Sequence, residues 1–110
     1  MARDRGLEEV VRGDLGDRPG LVEKAMFGGL AFLLNGHLLC AASDRGMMFR
    51  LGKGRDGWAL EHPDVSPMVM QGREMEGWVR FGPEACADDE LRQRLLAGAL
   101  DFVLTLPPKA

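Results

Sequence analysis

Two short apolar runs hinged on one dipeptide limit this chain more than anything else in it. Residues 29–34 (Gly-Leu-Ala-Phe-Leu-Leu) and 37–43 (His-Leu-Leu-Cys-Ala-Ala-Ser) flank Asn35-Gly36. Asn-Gly suits a two-residue type I′ turn because both central positions need positive φ, so a β-hairpin follows. Its loop sets Leu34 opposite His37 and Phe32 opposite Leu39. One face then carries Leu30, Phe32, Leu34, Leu39 and Ala41, and the other Ala31, Leu33, Leu38, Cys40 and Ala42. Both faces are apolar. An antiparallel sheet with one wet side alternates apolar and polar residues, so this sheet is expected to be covered on both sides, by helices or by a partner chain.

The flanking segments extend the pattern. Residues 4–15 place Leu7, Val10, Val11 and Leu15 on one face at helical spacing. Gly16-Asp17-Arg18-Pro19-Gly20 reads as a loop. Residues 22–27 predict a strand ending in a Gly28-Gly29 bend, and Ser43-Asp44-Arg45-Gly46 turns the chain into a strand from Met47 to Leu51. A short helix at 55–61 is stopped by His62-Pro63, and Val65-Ser66-Pro67 reads as a loop. Strands follow at 68–71 and 77–81. A last helix starts at Asp88, a favourable N-cap with Asp89 and Glu90 in its first turn, and ends at Pro107-Pro108. The fold class is α+β: about six short antiparallel strands with N-terminal, short middle and C-terminal helices, in the order α-β-β-β-β-α-β-β-α, within one domain spanning 1–110.

The last helix is apolar over more than one stripe. Leu91, Leu95, Ala99, Phe102 and Leu106 make the first, while Leu96, Leu100, Val103 and Leu104 widen it almost all round. A surface helix buries a single stripe, so the second set either enters the core or forms a partner interface.

Composition narrows the function classes. A net charge of −3 argues against direct DNA or RNA binding, which draws most of its affinity from phosphate contacts. No stretch approaches the ~20 apolar residues of a membrane span, and the charged start lacks the apolar run of a signal peptide. A cytoplasmic protein is expected, with Cys40 and Cys86 as free thiols.

Reactive groups do not gather. Gly52-Lys53-Gly54-Arg55-Asp56-Gly57 is a formal GxGxxG between a strand and a helix, but no βαβ unit surrounds it, so a plain turn is the simpler reading. Arg50, Lys53 and Arg55 beside it, with Trp58 near, make a candidate anion site. Metal binding is not expected despite seven methionines, because His37 and Cys40 are three apart on a strand and so point to opposite faces, as do Met47 and Met48. Met68 and Met70 share a face, where methionine is a common core filler. Neither Ser43 nor Ser66 sits in a nucleophile elbow, and no cofactor is implied.

One stretch resembles a known family. Lys24-Ala25-Met26-Phe27-Gly28-Gly29-Leu30-Ala31-Phe32-Leu33-Leu34-Asn35-Gly36 looks like the hallmark of the TfoX/Sxy N-terminal domain, with Met26, Phe27, Gly28, Gly29, Asn35 and Gly36 as its signature. Gly72-Arg73-Glu74-Met75-Glu76-Gly77-Trp78-Val79 resembles the family's second motif, carrying Gly77 and Trp78, and Leu106-Pro107-Pro108-Lys109 is also typical. The resemblance implies an α+β fold and a link to natural competence, where full-length members positively regulate DNA-uptake genes alongside the cyclic-AMP receptor protein. Those regulators carry a second, helical C-terminal domain that is not expected here, and the family supplies no catalytic residues. The expected function is a non-enzymatic protein-interaction module, working through the helix surface at Leu96, Leu100, Val103 and Leu104 or the exposed side of the hairpin, with a homodimer as one form. The alternative is a small-ligand or anion-binding domain at the basic glycine turn 50–57.

Overall fold

The computed structural model describes residues 3–26 and 28–109. Helix α1 (Arg5–Leu15) begins where the Asp4 side chain accepts a hydrogen bond from the Leu7 amide at 3.0 Å. Strands β1 (Leu21–Met26), β2 (Gly29–Leu34), β3 (His37–Ser43) and β4 (Gly46–Arg50) follow as a meander. Then come the short helix α2 (Gly57–Leu60), β5 (Val65–Met70), β6 (Arg73–Phe81), a 3-10 turn at Ala85–Ala87, and α3 (Asp89–Val103). Asp88 caps α3 as expected, accepting from the Leu91 amide at 3.1 Å. All six strands join one antiparallel sheet in the order β1-β2-β3-β4-β6-β5. The α+β arrangement expected from the sequence is the observed one.

Boundaries differ where a local signal misled. Val65-Ser66-Pro67 is not a loop but the start of β5. Proline cannot donate to a ladder, yet it is tolerated on an edge strand, and β5 is an edge. β6 begins four residues earlier than expected, at Arg73, because Gln71 and Gly72 (φ 51° and 76°) form a tight hairpin turn. Glutamine is an uncommon occupant of that region, so Gly72 is the turn's one sequence signal. Helix α3 stops at Val103, before Pro107-Pro108.

The hairpin of β2 and β3 turns on Asn35 and Gly36 with φ of 54° and 85°, as Asn-Gly requires. Leu34 pairs with His37 as expected, but Phe32 pairs with Cys40 and not with Leu39. Leu39 is an extra residue, a β-bulge. The bulge corrects the expected faces: Cys40 and Ala42 join Leu39 on the side of Leu30, Phe32 and Leu34, and Ala41 moves to the other side. His37 and Cys40 consequently share a side. His37 spends its Nε2 on the Pro107 carbonyl oxygen at 2.6 Å.

The three helices contribute to one core. Leu7, Val11 and Leu15 of α1, Ala59 of α2 and Leu91, Leu95, Leu96, Ala99 and Val103 of α3 pack on Phe32, Leu39, Phe49, Val79 and Phe81. Phe32, Phe49 and Phe81 are wholly buried, each contributing about 2–3 kcal/mol of apolar transfer. Val10 lies off this face, and Glu8 takes its place in the buried set of α1. The burial of Glu8 is compensated by Arg3, whose Nε and second guanidinium nitrogen each donate to its carboxylate at 2.8 Å. Arg92 ties α3 to α1 through Asp14 at 2.7 Å and donates to the Cys86 carbonyl at 2.8 Å.

The opposite side of the sheet has its own small cluster. Ala31, Ala41, Met48 and Met68 are buried there, with Met26, Leu33, Leu38 and Trp78 packed around them. Among the described residues, no helix contributes to it. The expected second cover is supplied by the curl of the sheet. Met26 of β1 and Met68–Met70 of β5 line the same groove, although a flat six-strand sheet would hold its edge strands about 24 Å apart.

Candidate functional site

The concave side of the sheet is the feature that the core does not use up. Small residues make its floor: Ala31 on β2 and Ala41 on β3. Longer, flexible side chains make its walls. Five of the seven methionines, Met26, Met48, Met68, Met70 and Met75, stand on this side. The main groove, about 280 Å³, runs between Met26 and Gly29 on one flank and the Met68 and Met70 side chains on the other. A smaller recess, about 70 Å³, lies between Leu38, Met75 and Trp78. The two share Met48, Met68 and Met70. Met70 and Met75 are more than one-third exposed. Thioether side chains repack cheaply around different shapes, which is why methionine recurs at adaptable binding surfaces.

The proposed helix interface is not one surface. Leu96 and Val103 are buried in the core, Leu100 is half-buried against it, and Leu104 alone is exposed. The wide apolar stripe has a plain cause: α3 packs against both β3 and β4 and the neighbouring α1 side, so two of its faces are inside.

The basic glycine turn is likewise occupied by its own neighbours. Lys53 pairs with Glu76 at 3.2 Å. The guanidinium groups of Arg50 and Arg55 lie 5.4 and 5.7 Å from the Phe102 ring centre, and that of Arg50 is also 5.7 Å from Trp78. Phe102 fills the space a side chain at Gly52 would need. Trp58 carries Arg94 over its ring at 4.9 Å. Cation–π contacts of this kind account for the arginines without a ligand.

Of the signature residues, Met26 ends β1 on the concave side, Gly28 turns the chain, Gly29 opens β2, and Trp78 stands half-buried beside the small recess. Gly77 abuts the backbone of Gly52 and Lys53. Phe27 lies outside the described residues. The turn at Asn35-Gly36 receives the C-terminal motif: the Lys109 amide donates to the Asn35 carbonyl at 2.9 Å. Both cysteines are buried and free. Burial pushes the Cys86 thiol up to about 11, against the opposing pull of Arg92, and pushes Cys40 further still. Among the described residues, no group of three His, Cys, Asp or Glu side chains gathers to hold a metal ion, and no helix is long and apolar enough to cross a membrane.

The sequence pointed only to the exposed side of the hairpin, which supplies Ala31 and Ala41 of the floor; the rest of the groove went unread because its parts come from six strands. Only Met68 and Met70, two apart, advertise a shared face. Met75 and Trp78 join them through the turn at Gln71-Gly72, which Gly72 alone signals.

Together these features define an α+β domain whose sheet has one side under helices and one concave, methionine-lined side. The family model described as the TfoX N-terminal domain matches residues 14–103, and the chain belongs to that family. Comparisons with curated proteins and with solved structures returned no match.

Proposed function

We propose that this TfoX-like domain is a non-enzymatic protein-interaction module, a regulator or adaptor that works by holding another protein in the concave side of its sheet. One observation carries the reading: a groove of about 280 Å³ lined by methionines stands on the side that no helix covers among the described residues. Apolar recesses bordered by polar side chains are where partners dock. Competence regulation through a second protein is the biological setting that suits such a module, in the cytoplasm.

The test is to block the groove without touching the core. Met70→Asp with Met75→Asp alters two exposed positions and is expected to leave the melting temperature nearly unchanged while removing partners that co-purify with the wild-type chain. Retention of every partner by the folded double variant would sink the reading.

Anion binding at Arg50, Lys53 and Arg55 ranks second, since Lys53 is paired and both arginines are stacked. Inorganic phosphate is expected to leave the melting temperature flat. A rise with concentration, as mass action demands of a specific ligand, would promote it.

A further inference from the structure

We infer that the groove takes an acidic segment of another protein, anchored by apolar side chains; this rests on the interaction-module reading and adds the chemistry of the partner. The charge around the groove is the reason. The chain as a whole is acidic, at −3, yet the concave side is basic. Arg80 pairs with Met48 and lines the groove. Arg73 pairs with Met70, and antiparallel partners point to one side. Lys24 is two residues before Met26 on β1 and pairs with Ala31, which puts it on the same side. None of the three has an ion-pair partner among the described residues.

The acidic residues of the strands are turned elsewhere. Glu23 is held by Arg12 of α1 at 2.7 and 2.8 Å. Glu76 pairs with Lys53. Glu74 pairs with Val69, on the alternation opposite to Met68 and Met70. An apolar floor with three unpaired cations at its rim complements carboxylates flanking apolar anchors.

Other occupants fit less well. A second copy docked face to face would bring one basic rim against another, because a two-fold interface uses the same patch on both copies. Nucleic acid needs a track of cations along its phosphates, and here the centre is thioether. The two recesses share one wall, so they suit two apolar anchors spaced closely along one peptide segment.

The test is a random-peptide display selection on the full chain. Recovered peptides are then titrated into protein carrying 13C methyl labels on methionine. Acidic peptides are expected, shifting Met26, Met48, Met68, Met70 and Met75 strongly and Met47 least, since Met47 borders the groove but packs in the helix-side core. Lys24→Glu with Arg73→Glu, both exposed positions, is expected to weaken binding roughly tenfold. Arg80→Gln provides an independent, milder loss. Basic or uncharged peptides that move the same methyls would overturn the acidic partner and leave the interaction module standing. Peptides that move Met47 more than the other methionines, or move no methionine, would overturn both. Displacement of the peptides by labelled DNA would assign the groove to nucleic acid, and a dimer broken by Met75→Asp would assign it to a second copy; either result overturns the inference.

Discussion

Gly52 and Gly77 meet backbone to backbone: the Gly52 amide donates to the Gly77 carbonyl at 3.1 Å, and a Cβ built on Gly77 would stand 2.6 Å from the Gly52 carbonyl carbon. Both have positive φ, 99° and 84°. Gly77→Ala therefore combines an unfavourable backbone region with a clash that no side-chain rotation relieves, and is expected to cost about 2–4 kcal/mol. Gly54→Ala, also at positive φ (80°) but with open space around it, is expected to cost about 1 kcal/mol. Urea unfolding midpoints at constant slope check both. Equal losses would show that the contact between the two glycines contributes nothing.

Glu8 offers a prediction in pH. Its hydrogen bonds from Arg3 hold its carboxyl below the usual glutamate value of 4.5. A depressed folded-state pKa stabilises the fold fully above the unfolded value and loses that contribution as pH falls through the folded one. Glu8→Gln is thus expected to lower the melting temperature at neutral pH, with the deficit shrinking once pH drops below the ordinary glutamate range. Thermal melts across pH decide it. A deficit independent of pH would mean that Glu8 acts through packing alone.

The thiols make a third test. Cys86 titrates near 11 and Cys40 higher, both because burial disfavours the thiolate. Since the thiolate is the reactive form, a disulfide reagent at mildly alkaline pH is expected to label neither quickly in the folded chain. Denaturant should raise both rates together. Rapid labelling of either under native conditions would contradict its burial.

A fourth concerns the tail. Lys109 reaches Asn35, and His37 holds the Pro107 carbonyl at 2.6 Å. Removing residues 107–110 is expected to cost about 1–3 kcal/mol, as two hydrogen bonds and their packing are lost. Amide exchange at Leu34 and Gly36 should quicken more than exchange at Val79. Uniform acceleration across the sheet would point to global loosening instead.

Much of the fold was legible because local and long-range signals agreed. Asn35-Gly36 named its own turn, and Asp88 named the start of the last helix. Errors arose where tertiary context overrode local chemistry. Pro67 denied a strand that its edge position permits. Gln71-Gly72 closed a hairpin in which only Gly72 is a customary turn residue. Leu96 and Val103 looked like surplus surface only because the sequence does not state that α3 is embraced from two sides. The groove was less legible still, since charge and methionine content at Lys24, Arg73 and Arg80 acquire meaning only after six strands are in register.

The extra residue at Leu39 has a consequence for how such chains can vary. Leu39 and Cys40 both turn toward the helices, so the strand changes phase between them, and that slip decides that Ala41 faces the cleft and Ala42 the helix layer. Inserting or deleting one residue just before it would not lengthen a loop. It would exchange the lining of the cleft for the lining of the helix layer, turning half of one strand inside out while leaving every neighbouring sequence intact.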